Sequence, residues 1–333
     1  RLLLTATEMA RTRLYRNGVL EKENFPIAEI SECVNEPGAV VWLDICTLDD
    51  GAGLDEIEEE FGLHALAIED AAHERQRPKL DHYGTHLFLS AYAVAIDSET
   101  MNLESSELAM FVMPNALITV RKDRKFDIDE VLKRWDATPE LVKEGAGFLL
   151  YGVLDYIVDG HFQAVQDLDE KIESLQDDLF DDSRDRVREV QRKSFDLRRD
   201  LILLRRFVLP MREVVNGLMR RDVKVVNDTL MPYYQDVYDH VLRATEWTES
   251  LRDLVSTVLE TNLTIQGNRM NLIMKQVTSW AAIIAVPTAV TGFYGQNVPY
   301  PGFGHDSGLI TSSLIIVGGS GLLYWVFRRK DWL

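Results

Sequence analysis

The sequence predicts an α+β domain carrying long helices, followed by an α-helical membrane part with two transmembrane helices per subunit. Three observations lead there. Strand-like alternation is confined to roughly the first 135 residues. Helical periodicity takes over from Phe148 onward. Two uncharged apolar stretches stand in tandem near the C-terminal end.

Residues 1–135 read as the mixed domain. β-rich runs occur at Val40–Ile45, His86–Ile96, Leu108–Met113 and Ala116–Val120, and Pro114-Asn115 is a turn signal between the last two. Leu54–Phe61 has a helical pattern. Residues 136–231 read as long amphipathic helices. Val165, Leu168, Ile172, Leu175 and Leu179 recur at steps of three and four, as do Leu197, Leu201, Leu204 and Val208. Asp181-Asp182-Ser183 offers a break and an N-cap between them, which suggests an antiparallel pair. Pro232 sits at a favoured early helix position. From there Leu251, Leu254, Val258, Thr261 and Ile265 keep a heptad-like stripe, and nothing breaks the pattern before Pro287. Residues 232–294 are therefore expected as one helix about 95 Å long.

The membrane assignment rests on residues 277–294 and 309–327. Each stretch is about as long as a helix needs to cross ~30 Å of hydrocarbon. Arg269 and Lys275 precede the first, while Arg328, Arg329 and Lys330 follow the second. The loop between them, residues 295–308, has neither Lys nor Arg. The positive-inside rule puts both termini, including the basic tail 328–333, in the cytoplasm and the loop outside. Trp280, Trp325 and Trp332 fall near the inner boundary, and Tyr294 and Tyr300 near the outer one. Gly318, Gly319, Ser320 and Gly321 would permit close helix packing.

Asn271, Met274, Thr278, Ala281, Ala285, Thr288 and Gly292 share one small, mildly polar face of the first membrane helix. Such a face is either a helix–helix contact or the lining of a pore. One helix cannot enclose a pore, so the second reading requires a symmetric ring of subunits.

The formal charge of −18 makes nucleic acid an unlikely partner and suits the gathering of cations. Cys33 and Cys46 form no CxxC pair and no disulfide framework, which fits a reducing compartment. The sequence opens on Arg1 rather than methionine, so residues are expected before it, and no signal peptide is visible. No P-loop, HExxH, GxGxxG or GxSxG pattern occurs, so an enzyme is not expected. His82 and His86 are four apart, but Gly84 and β-rich neighbours argue against a metal site on one helical face. His64 and His73 read as surface residues.

At the outer end of the first span stands Tyr294-Gly295-Gln296-Asn297, which resembles the Tyr-Gly-Met-Asn signature of the CorA family of magnesium transporters. Asn271, Met274, Lys275, Thr278, Pro287 and Thr288 support the likeness. So do the stretch Pro232–His240 and Glu69-Asp70 followed by Gln76-Arg77-Pro78-Lys79. The resemblance spans nearly the whole chain. It implies a homopentamer in the inner cell membrane, embedded in the lipid bilayer, with a funnel-shaped cytoplasmic part. Five first membrane helices would line the pore through Asn271, Met274, Val277, Thr278, Ala281, Ala285, Thr288 and Gly292. Gly295, Gln296 and Asn297 would form the filter. Relatives bind magnesium between residues matching Asp70 and Asp236 of adjacent subunits, with Glu69 alongside, and this closes the pore. Two departures stand out. Gln296 replaces the signature methionine, and Ala285 stands where relatives often carry a bulky apolar gate. Mg2+ is the expected cargo, with a Zn2+, Co2+ or Ni2+ transporter of the same fold as the alternative, and a non-transporting membrane scaffold as a further one.

Overall fold

The computed structural model describes residues 10–46, 53–73, 77–179, 184–296 and 298–333. Seven strands form one sheet: β1 (Ala10–Arg16), β2 (Val19–Glu23), β3 (Ala39–Cys46), β4 (Lys79–His82), β5 (Leu87–Ile96), β6 (Leu103–Met113) and β7 (Ala116–Arg121). Their order is β2-β1-β3-β7-β6-β5-β4. Only β3 and β7 pair in parallel; the other neighbours are antiparallel. Pro114-Asn115 does turn the chain, because Met113 pairs directly with Ala116 across a two-residue hairpin.

Every residue of β3 and of β7 is buried, so both faces of the sheet centre are covered. The period of two separates the contacts. Val40, Trp42, Leu89, Leu108, Met110 and Leu117 belong to one core. That core also holds Trp135 from α4 (Ile128–Ala137), after the short α1 (Ile30–Val34), α2 (Leu54–Phe61) and α3 (Ala65–Ala72). Val41, Leu43, Ala109, Phe111 and Ile118 point the other way, onto Leu54 and Ile57 of α2 and Ala67, Ile68 and Ala71 of α3.

After α5 (Pro139–Val142) come α6 (Ala146–Asp178), α7 (Arg184–Leu218), α8 (Met231–Tyr294) and α9 (Asp306–Arg329). Leu149, Val153 and Ile157 of α6 lie on the first core together with Tyr234, Val237 and Val241 of α8. The Tyr234 hydroxyl donates to the Gly147 carbonyl at 2.7 Å. The apolar residues expected to repeat along α6 and α7 are all buried. The two helices run antiparallel, with Lys193 of α7 paired to Asp178 near the end of α6 at 3.0 Å. The break expected at Asp181-Asp182-Ser183 lies outside the described residues. Between Leu251 and Asn262 of α8 the buried positions are Leu251, Val255, Val258 and Asn262, whereas Leu254 and Thr261 are half-buried. The buried line keeps the seven-residue spacing, 251/258 and 255/262, but its second column falls one residue later than the expected 254/261.

The sequence reading missed β1, β2 and β4, and the reason is chemical. β1 carries three arginines, and β2 is mostly exposed and charged. β1 is nonetheless a sheet strand because Arg13 spends its charge internally, on Glu23 at 2.8 Å and Asp136 at 3.0 Å. The chain divides into two compact units, Arg1–Thr257 and Val258–Leu333, with the division falling inside α8.

The parallel pair at the sheet centre is also tied by charge. Arg121 Nε donates to Asp44 Oδ1 at 3.0 Å and its Nη2 to Oδ2 at 2.6 Å. Thr119 Oγ1 donates to the same carboxylate at 2.7 Å. Burial alone would lower the Arg121 pKa, but the Asp44 carboxylate outweighs it and raises it. Asp44→Ala should therefore strand a buried guanidinium and cost about 3–5 kcal/mol. Thermal unfolding of the full chain in detergent will show a large fall in midpoint; an unchanged midpoint would mean the pair is not structural.

Candidate functional site

The second unit contains both apolar segments. α8 and α9 are each long and apolar enough to cross a membrane, and almost none of either apolar window is buried within the protein. That separates them from core helices of a water-soluble domain. Val286 Cγ1 lies against Gly319, where an added Cβ would stand 3.1 Å away. The covered face of α8 comprises Ser279, Ala282, Ile283, Val286, Pro287 and Val290. The covered face of α9 includes Ser312, Ile316, Gly319, Ser320, Leu323 and Val326. Of the four small residues expected to permit close packing, Gly319 and Ser320 are on this face, while Gly318 and Gly321 are exposed.

Asn271, Met274, Val277, Thr278, Ala281, Ala285, Thr288 and Gly292 are all exposed. At 3.6 residues per turn the stripe that seven of them form is centred roughly 150° from the face that α9 covers. Those small residues are thus not the contact between the two spans of one chain. Thr288 Oγ1 donates its proton to the Ile284 carbonyl at 2.9 Å. Its remaining lone pairs can only accept. A hydrated cation presents water protons, so this orientation suits it.

α8 ends where Gly295 N donates to Thr291 O at 2.8 Å. Gln296 N reaches Phe293 O at 3.3 Å, and Val298 N turns back to Gln296 O at 2.8 Å. Asn297, between them, lies outside the described residues. The Tyr294 and Tyr300 rings meet edge to face at 4.9 Å, and Phe303 packs on Tyr300 at 5.2 Å. Gly302 has φ +89°, and a Cβ there would fall 2.9 Å from Gly308 N. Only glycine fits that close approach.

In the first unit, α3 starts at His64, whose ring accepts from Leu66 N at 3.2 Å. Its last turn presents Glu69 and Asp70. Glu69 is exposed and uses its carbonyl on His73 N at 3.0 Å. Asp70 Oδ2 is 2.6 Å from Lys79 Nζ, which also contacts Asp81 at 2.8 Å. Burial pulls the Lys79 pKa down, but the bonds to Asp70 and Asp81 outweigh it and raise it. The sequence reading had Lys79 within a motif but not as the partner of Asp70. Asp236, on the first turns of α8, is exposed, with His240 Nδ1 at 3.8 Å. Nearby on α6, Asp155 is pushed up by burial and by Asp159, even though Arg134 bonds it at 2.6 Å. No signal in the sequence singled out this group. Among the described residues, no cluster of three or more His, Cys, Asp or Glu is arranged to hold a metal ion within one chain. His86 stacks on Tyr83 at 5.1 Å and lies tilted against Phe111 at 5.9 Å, and burial lowers its pKa.

An α/β domain continued by two membrane-crossing helices defines a membrane protein. A family model described as CorA-like Mg2+ transporter protein matches residues 37–329. The putative metal ion transporter YfjQ of Bacillus subtilis is 31% identical over 93% of this chain and 94% of its own length. The cobalt/magnesium transport protein CorA of Thermotoga maritima is 27% identical over 88% of this chain and 83% of its own. A zinc transport protein ZntB of Pectobacterium carotovorum is 24% identical, covering 79% of each chain. The complete structure of the CorA magnesium transporter from Methanocaldococcus jannaschii superposes with a TM-score of 0.77 over 98% of this chain and 99% of that one, at 21% identity. The chain belongs to the CorA-like Mg2+ transporter family. It is a divalent-cation transporter and not an enzyme.

Proposed function

We propose that this chain forms a homopentameric channel that passes Mg2+ across the inner cell membrane and closes when cytoplasmic Mg2+ binds between subunits. The observation that carries the pore is the exposed stripe on α8, which lies away from α9. A small, polar face exposed beside hydrocarbon gains nothing from lipid, and copies of itself around an axis would give it water. Both termini are cytoplasmic on this reading, because the cations flank the two spans on one side only.

Gly295, Gln296 and Asn297 form the outer mouth. Mg2+ sheds water reluctantly. Neutral carboxamide oxygens can accept hydrogen bonds from its hydration shell without stripping it. Gln296 doubles the carboxamides offered per subunit relative to a ring of Asn297 alone. A zinc transporter of the same fold is the second reading, favoured by this substitution and by the ZntB relatives.

Sensing is assigned to Asp70 of one subunit and Asp236 of its neighbour, with Glu69 beside them. Facing carboxylates repel, and a divalent cation relieves the repulsion. Lys79 already neutralises part of Asp70 at 2.6 Å. A cation therefore has to compete with an ammonium, which suits a site that fills only when Mg2+ is plentiful.

Three outcomes are expected. A charged, membrane-impermeant thiol reagent should label Thr288→Cys at least tenfold faster than Leu314→Cys on the outer face of α9. Cys33 and Cys46 are buried and give little background. Equal rates at the two sites would remove the pore assignment of the stripe. In liposomes, Asn297→Ala should abolish selective Mg2+ uptake over Zn2+, Co2+ and Ni2+; parental flux and selectivity in that variant would exclude Asn297 from the filter. Finally, millimolar Mg2+ should protect residues 232–271 from limited proteolysis in the parent and much less in Asp70→Asn/Asp236→Asn. Lys79→Met should shift protection to lower Mg2+. Equal protection in parent and double variant would sink the sensor while leaving the pore untouched.

A further inference from the structure

The end of α9 is built rather than frayed. Asp331 has φ +53°, in the left-handed region. Its N–H donates to Arg328 O at 3.2 Å, and Trp332 N–H donates to Phe327 O at 2.9 Å. This pair of bonds is the Schellman closure of a helix, here with aspartate at the left-handed position. The apolar contact that accompanies such a closure is also present: the Trp332 ring stacks on Phe327 at 5.7 Å with planes 6° apart. The turn folds the indole back and leaves three consecutive cations around it. Arg329 lies over the Trp325 ring at 5.3 Å, and Lys330 over the Trp332 ring at 5.9 Å. Arg328 is exposed.

These groups share a level with others. With Val286 opposite Gly319, residues equally far along the two antiparallel helices face the same depth. Six residues away in each helix are Trp280 and Trp325; eleven away are Lys275 and Lys330. One band therefore holds exposed indoles and the next holds ammonium and guanidinium groups. Asp331 is the acid within that C-terminal turn. Indoles prefer the headgroup boundary, and the cations just beyond them meet lipid phosphates.

We propose that the folded C-terminal turn, with Arg328, Arg329, Lys330, Trp325 and Trp332, is a docking surface for anionic phospholipid headgroups of the cytoplasmic leaflet. It rests on the membrane placement of α9 and is independent of the ion carried and of the number of subunits. The cation–indole contacts hold the charges near the surface rather than letting them spread into water, and the aromatic closure fixes the turn that presents them. Zwitterionic headgroups carry their own ammonium and offer no net charge to this cluster.

The test uses the full chain in vesicles of phosphatidylcholine and phosphatidylglycerol, with bromine placed on the acyl chains of one lipid or the other to quench tryptophan. At equal mole fractions the brominated phosphatidylglycerol should quench several-fold more than brominated phosphatidylcholine. Arg328→Gln/Arg329→Gln/Lys330→Gln should erase that several-fold preference. Arg328→Lys/Arg329→Lys keeps the charge and should retain it, which separates lost charge from a misfolded turn. Trp325→Phe/Trp332→Phe should remove the preferential part of the signal. Equal quenching by both lipids in the parent would overturn the proposal, as would an undiminished preference in the triple Gln variant. Quenching by neither lipid would instead overturn the membrane placement on which it stands.

Discussion

Hydrocarbon gives a peptide group nothing to bond except protein, so a segment that crosses it without a neighbouring strand must be helical. In this protein that requirement falls on a helix that begins in the core of a water-soluble domain. Tyr234, Val237 and Val241 of α8 are buried against the sheet and α6. Some fifty residues later the same helix carries Ala281, Ala285 and Thr288. Its side-chain pattern has to change along its length: a buried apolar line in water, then a covered face against α9 and exposed faces elsewhere. The proline in its membrane segment leaves a carbonyl without its usual donor. That carbonyl belongs to Ile283; the Thr291 and Thr288 hydroxyls donate instead to neighbouring carbonyls, Pro287 O at 2.8 Å and Ile284 O at 2.9 Å. Ser279 and Ser320 hold buried hydroxyls with no partner among the described residues, both on the face shared by the two helices.

What could be read from the sequence follows from how each element is buried. β3 and β5–β7 are sheet-centre strands, and their apolar runs announce them. In β1, Arg13 is buried against Glu23 of the next strand and Asp136, far along the chain, so its charge pattern does not read as a strand. The membrane spans are legible because lipid selects composition directly. The stripe on α8 was legible as a face, but its relation to α9 was not, since the register Val286–Gly319 depends on how the loop folds. Asp70 could be singled out by motif, whereas its pairing with Lys79 needed β4, a strand of four half-polar residues without a signal of its own.

The charge of the chain is distributed by task. Within the α/β domain, acids that sit close together are held by arginine: Arg134 spans Asp155 at 2.6 Å and Asp159 at 3.0 Å. Tyr151 beside them is pushed up to about 12 by burial and by those carboxylates. Asp236 projects outward from the same neighbourhood. An exposed carboxylate next to a partly neutralised acidic group can gain or lose a cation with little disturbance of the core. At the membrane end the balance reverses, and three cations against one acid follow Phe327.

The close contact of Gly302 with Gly308 divides the connection between the spans into two parts. Residues 303–305 and the first two residues of α9 close into a small eyelet, and the segment before Gly302 is a short tether from the end of α8 to its neck. Length added inside the eyelet leaves the neck, and with it the tether, unchanged. Length added to the tether shifts the end of α8 relative to that neck. On the topology proposed above, the eyelet can therefore vary in size and chemistry without changing how the end of α8 is held.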